Sequence, residues 1–424
     1  MISIIIPYTR PEKLKVCIRA IEENAGKIKH EVLTEQDINL IGFSKMIDSL
    51  LKKTKYDLVM FIGDDTIPQK GFLEESLKVM DSFPDKWGVV GLSTEAPGEW
   101  NTYGHVLIHK KILEYTGGTL YSFDYAHSFT DDELRDIADE IGRFKYAEKS
   151  KILHDHPING RGDKDDKILE LRYADDVFYN DKKTYLKRKR DRMQKKYGVK
   201  LAISIPLTNE MVYRQFLFSF IKVVTEYMSS LIKEGKPISF DVIMPDFPCQ
   251  IDAARNDLVQ QALYLGCTHI LMMDSDQIYN TDNMIQKMLD HDKPVLGARV
   301  HRRYPPFDPL LLEGEISKLT QIPDEKIKDK DGNFNTELQV DYTGTGCILY
   351  DMKIFNDMLP EKPFQLITGE NGQPIGEDIN FCTKLKKMGI PIFADCSIDI
   401  KHLTLMAADW GTHKLFEKIV LGIG

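Results

Sequence analysis

The chain begins the same way twice. Residues 2–7 read ISIIIP and residues 201–206 read LAISIP, each an apolar, β-branched run closed by proline. A helical pattern follows both, from Arg10-Pro11-Glu12 to about Asn24 in the first and from about Glu210 in the second. A strand that feeds a helix is the opening unit of a parallel sheet wrapped by helices. A second start 199 residues after the first therefore predicts two such sheets, and 424 residues are too many for one ordinary core.

Further landmarks recur in the same order. The helical stretch Gly42 to Lys53 precedes the apolar run Leu58 to Ile62 and then Gly63-Asp64-Asp65; Asp252 to Leu265 precedes Ile270 to Met273 and then Asp274-Ser275-Asp276. Downstream, Asp131 and Asp378 each open a helical pattern that ends at a glycine eleven residues later, Gly142 and Gly389. A histidine then closes the next strand-like segment: His154 lies 23 residues after Asp131 (His156 is the alternative), and His402 lies 24 after Asp378. Ligands of such sheets bind outside the carboxyl ends of the strands, where Asp274 and Asp276 fall.

Two carboxylates one residue apart repel each other unless a cation sits between them. A hard divalent ion accepts such oxygens and completes its shell with phosphate oxygens and water. Turn or helix-cap acids are the plainer explanation of the same pair. His402 offers a neutral imidazole, a usual ligand of ions such as Mn²⁺. Glu377 and Asp378 open a helix, where acids suit the dipole and where a carboxylate can also act as general base on an acceptor hydroxyl. Gly344-Thr345-Gly346-Cys347 forms a turn whose glycines allow close backbone approach, and Arg299-Val-His-Arg-Arg-Tyr304 brings cations that could meet a diphosphate or an acceptor.

This set resembles the GT-A-fold glycosyltransferases, of the family 2 type that uses nucleotide-diphosphate sugars. The resemblance rests on the two strand-proline openings, Ala254-Arg255-Asn256, Asp274-Ser275-Asp276, the Gly344–Cys347 turn, Glu377-Asp378 and His402, and it covers most of residues 200–405. It implies two tandem GT-A domains (residues 1–160 and 199–424) joined by a charged helical linker (161–198). Carried over, Asp276 and His402 hold Mn²⁺ or Mg²⁺ on the diphosphate, and Asp274 contacts ribose or the ion. Asp378, beside Glu377, deprotonates the acceptor in an inverting displacement, and Pro206 and Arg255 contact the donor. The first half carries Pro7 and Asp64 on the donor, Asp65 and His154 on the ion and Asp131 as base, but it has Gly63 where the second has Asp274, Thr130 where it has Glu377, and no Ala-Arg-Asn counterpart. Two active halves imply consecutive transfers to a glycan or other hydroxyl acceptor; one active half beside a structural or acceptor-binding one, with a modified DNA base among the acceptors, and a non-catalytic carbohydrate- or nucleic-acid-binding scaffold are the alternatives. A sugar-phosphate nucleotidyltransferase is disfavoured because no glycine follows either first strand in Pro7-Tyr8-Thr9-Arg10 or Pro206-Leu207-Thr208-Asn209.

Charge and cysteines narrow the setting. A net charge of −9 argues against a surface built wholly for nucleic acid, although nine Lys/Arg among the fifteen residues 182–196 form a basic helical segment that could meet a phosphate backbone. Six cysteines without CxxC spacing read as reduced core thiols in a cytoplasmic protein. No uninterrupted apolar run reaches the length of a membrane span.

Overall fold

The structure is a computed structural model that describes residues 1–39, 41–94, 104–155, 174–369, 372–404 and 410–421. It divides into two compact units, Met1–Tyr185 and Leu186–Gly424, each a mixed α/β body built on one large sheet.

In the first unit the strands are β1 (Ile2–Tyr8), β2 (His30–Gln36), β3 (Leu58–Phe61), β4 (Thr66–Pro68), β5 (Val89–Ser93), β6 (Val106–His109) and β7 (Phe144–His154). Their order across the sheet is β2-β1-β3-β6-β5-β7-β4. The opening apolar run is explained by burial on both faces. Ile2, Ile4 and Ile6 pack with Leu14, Cys17 and Ile21 of the helix Pro11–Asn24, while Ile5 packs with Ile47, Leu50 and Leu51 of the helix Phe43–Lys53. Each such isoleucine contributes about 1.5–3 kcal/mol of burial.

The second unit contains β8 (Leu201–Ser204), β9 (Phe240–Ile243), β10 (His269–Met273), β11 (Gln277–Tyr279), β12 (Val295–Val300), β13 (Leu311–Glu315), β14 (Lys318–Gln321), β15 (Leu338–Val340), β16 (Tyr342–Thr343), β17 (Cys347–Asp351), β18 (Ile367–Thr368), β19 (Pro374–Ile375) and β20 (Ile392–His402). The main path runs β9-β8-β10-β17-β12-β20-β11. Strand for strand, this is the order of the first sheet, and each pair has the same sense: β1 is parallel to β2 and β3 as β8 is to β9 and β10, and β6 and β17 are antiparallel to both of their neighbours. Even the irregularity recurs, since β5 and β7 shift register midway, as do β12 and β20. The second unit adds β15 on β20, a small sheet β14-β13-β16 and a hairpin β18-β19.

The basic segment forms the helix Asp175–Tyr197, and the boundary between the units falls inside it. Asp181 accepts the backbone N–H groups of Ala126, His127 and Ser128, each at 2.8 Å, and Leu186 and Met193 are buried, so this helix is packed on one side. Residues 161–173 of the expected linker, and His156, lie outside the described residues. All six cysteines are unpaired, five of them buried. Among the described residues no helix is long and apolar enough to cross a membrane.

Candidate active site

β10 runs antiparallel to β17 through Met273 and parallel to β8 through Met272; past that point the chain leaves the sheet and presents Asp274-Ser275-Asp276 at its rim. The amide of Asp274 donates to the Gly346 carbonyl at 2.9 Å. The buried Tyr279 hydroxyl lies 2.9 Å from the Asp274 carbonyl and 3.0 Å from that of Gly346. These bonds tie the acidic loop to the glycine turn. A cleft of about 330 Å³ opens there, and Pro206, Arg255, Asp274, Asp276, Glu377, Asp378 and His402 all line it.

Gly346 is demanded by the protein's own packing. A Cβ there would lie 1.9 Å from the Gln277 amide nitrogen, and Gln277 is itself buried. Gly346→Ala is expected to cost about 1–3 kcal/mol through overpacking, read as a lowered denaturant midpoint at unchanged slope.

Arg255, on the helix Ile251–Tyr264, is buried and joins two segments distant in sequence. Its Nη2 lies 3.0 Å and 3.3 Å from the two Asp274 oxygens, and its Nη1 donates to Glu377. Burial lowers the guanidinium's pKa, but Asp274, Glu377 and Asp378 outweigh it and raise it overall. Glu377 is pushed up instead, by burial first and by the neighbouring Asp378 and Asp274, against the downward pull of Arg255. The two directions are compatible because three carboxylates share one guanidinium.

Asp276 and His402 form the second centre. β11 pairs with β20 so that Gln277 stands opposite His402, which brings the His402 Nε2 to 3.3 Å from Asp276 Oδ2. The His402 Nδ1 lies 2.7 Å from the His301 carbonyl and donates to it, leaving the Nε2 lone pair to accept from Arg303 Nε at 2.9 Å beside Asp276. Burial pulls His402 down, but Asp276 and the His301 carbonyl outweigh it and raise its pKa; Asp276 is pushed up by burial and brought lower overall by His402 and Arg303.

Does this cleft suit a divalent cation? Four carboxylates line it against the guanidiniums of Arg255 and Arg303. Asp276 Oδ1 is buried with no hydrogen-bond partner, an expensive condition that a cation would relieve. Among the described residues no three His, Cys, Asp or Glu side chains converge on one point. Asp274, expected on ribose or the ion, is turned onto Arg255, so Asp276 and His402 are the pair that fits an ion, with phosphate oxygens and water completing its shell.

The first unit sets the equivalent residues differently. β4 pairs with β7 so that Thr66 faces His154, as Gln277 faces His402, and His154 Nε2 lies 3.3 Å from Asp65 Oδ1. Between the carboxylates sits Arg10, its Nη2 at 2.6 Å from Asp64 and 2.9 Å from Asp65. Asp64 also accepts the backbone N–H groups of Thr9 and Arg10, each at 3.0 Å. Burial raises the Asp65 carboxyl, but His154, Arg10 and His105 outweigh it and hold it well below the usual range. Burial pushes Asp131 up, at the start of the helix Thr130–Glu140, and Pro7 lies inside β1, one residue before its last, Tyr8. The sequence reading missed Arg10; its signal was a cation directly after the first strand in the half that lacks Arg255.

Residues 249–310, which hold Arg255, Asp274, Asp276 and Arg303, match the Anp1 family. A 173-residue stretch is 24% identical to the mannan polymerase complex subunit MNN9 of Candida albicans, covering 33% of this chain and 45% of that protein, so the match spans less than half of that relative. Among solved structures, the mannosyltransferase PcManGT of Pyrobaculum calidifontis in complex with GDP-Man and Mn²⁺ aligns with a TM-score of 0.34 at 11% identity, over 46% of this chain and 64% of that one. S. aureus TarS 1-349 with UDP-GlcNAc aligns with a TM-score of 0.34 at 11% identity, over 45% and 65%.

Proposed function

We propose that the second unit is a divalent-metal-dependent, inverting glycosyltransferase that moves a sugar from a nucleotide-diphosphate donor to an acceptor hydroxyl, and that the first unit is its structural companion. The observation that carries the reading is the cleft itself, where Asp276 with an unpartnered oxygen, His402 with a lone pair, and the carboxylate of Asp378 share one rim. Asp276 and His402 would hold Mn²⁺ or Mg²⁺, which when bound supplies positive charge to the departing diphosphate. Arg255 fixes Asp274 and Glu377, and so the walls of the cleft. Asp378 takes the proton from the acceptor oxygen as it attacks.

The alternative of two active units is weakened by Arg10, which already stands ion-paired between Asp64 and Asp65. The mannan-related relative makes GDP-mannose the first donor to test. At about 100 times its Kd a donor stabilises the folded state by about 2.7 kcal/mol. The expected result is a nucleotide-sugar thermal shift that requires Mn²⁺, is lost in Asp276→Ala and persists in Asp65→Ala. Loss in both variants would return the first unit to the active set, and the absence of a Mn²⁺-dependent shift with any nucleotide sugar would end the transferase reading.

A further inference from the structure

We propose that Arg303 is a built-in competitor for the cation position of the second unit. It holds Asp276 and His402 until a divalent ion displaces it, so that ion entry and release of this side chain are one event. The proposal rests on the reading of Asp276 and His402 as the ion's ligands and adds to it a residue that regulates access to them.

The contacts are specific. Arg303 Nη2 lies 2.6 Å from Asp276 Oδ2, and its Nε donates to His402 Nε2 at 2.9 Å. Because His402 Nδ1 is committed to the His301 carbonyl, Nε2 carries the ring's only lone pair. One lone pair serves either the guanidinium or an ion. Arg303 also balances the negative charge on Asp276 Oδ2, the charge an incoming ion would take up, while Oδ1 has no partner.

Exposure decides which partner moves. The Arg303 side chain is 56% exposed, against 18% for Asp276 and 11% for His402. The guanidinium can therefore swing into water at little cost, while the two less exposed groups stay in place. Its backbone is tethered: Arg302 N–H donates to the Asp308 carbonyl at 2.9 Å, His301 bridges Pro309, and Thr404 Oγ1 donates to the Arg303 carbonyl at 2.8 Å. Displacement is thus a side-chain event on an anchored turn, and the arginine returns when the ion leaves. Arg10 in the first unit shows the opposite arrangement. Its side chain is 23% exposed and its own backbone N–H also binds Asp64, so it is fixed where Arg303 is removable.

The test is Mn²⁺ binding without nucleotide, read from the free-ion electron paramagnetic resonance signal of the full chain. Arg303→Ala is expected to bind Mn²⁺ roughly fivefold tighter, the size of effect that loss of a competing, half-exposed ion pair gives. In Tyr304→Trp, beside the moving residue, Mn²⁺ is expected to shift the added emission at the same half-saturation, and a second Arg303→Ala change to abolish that shift. Unchanged or weaker Mn²⁺ binding in Arg303→Ala, with Asp276→Ala abolishing it, would overturn the competitor and leave the ligand assignment standing. Binding that survives both Asp276→Ala and His402→Ala would instead overturn the assignment itself.

Discussion

Replacing Arg255 by methionine is expected to lower the stability of the second unit by about 3–5 kcal/mol, because removing one partner of a buried ionic group leaves the others uncompensated. At the scale typical of a unit this size, that is a fall in melting temperature of roughly 10 °C. Arg255 is buried between Asp274 and Glu377, and Glu377 also feels Asp378 and Asp274. Methionine fills the space but supplies no charge. The cause is identified by adding Asp274→Asn and Glu377→Gln to Arg255→Met: neutralising the stranded acids should recover most of the loss, a strong non-additivity of the kind expected of residues in contact. A single Arg255→Met within about 1 kcal/mol of wild type, below the penalty of an unpaired buried charge, would show that the guanidinium is not what balances these acids. The first unit already illustrates the collective nature of the change. Counting back from the helix ends, Ser44 stands where Arg255 does, beside Gly63 in place of Asp274 and Thr130 in place of Glu377. All three charges are replaced together, which is the only combination that strands none of them.

The pattern of local signals explains what was legible in the sequence. The runs at Ile2 and Leu201 announce two-sided burial, and equal spacings from Asp131 and Asp378 announce that whatever surrounds one surrounds the other. The helices Phe43–Lys53 and Ile251–Tyr264 lie within a residue of their expected bounds, because apolar periodicity is a local property. Strand order is not local: nothing in the segment Cys347–Asp351 says that it will lie between β10 and β12. Nor does the sequence disclose the pairing of Arg255 with Glu377, 122 residues away, which follows from where the sheet brings two helices. The cations nearest the acids were the least readable. Arg10 looks like a residue before a helix, and Arg303 is one of several in a basic run; which of them reaches a carboxylate depends on a turn's geometry.

The largest functional effect is expected at Asp378. In Asp378→Asn, release of nucleoside diphosphate and transfer to acceptor should fall by about 10²–10⁴-fold, the range that a positioned general base contributes. The substitution is chosen to spare the fold. Asp378 Oδ1 accepts the Ile379 N–H at 2.8 Å in the first turn of the helix Glu377–Lys387, and an asparagine oxygen can accept it equally. Gly376 supports the same placement, since a Cβ there would stand 2.6 Å from that oxygen. Donor affinity is therefore expected to stay near wild type, measured by the Mn²⁺-dependent thermal shift, while kcat collapses. The neighbouring Glu377→Gln provides the contrast. Glu377 meets Arg255, so its loss should act through stability and the cleft's shape, with a smaller fall in kcat. If Asp378→Asn turned over donor at the parental rate, proton removal would belong to another group, and the helix N-terminus would be left with a role in electrostatics alone.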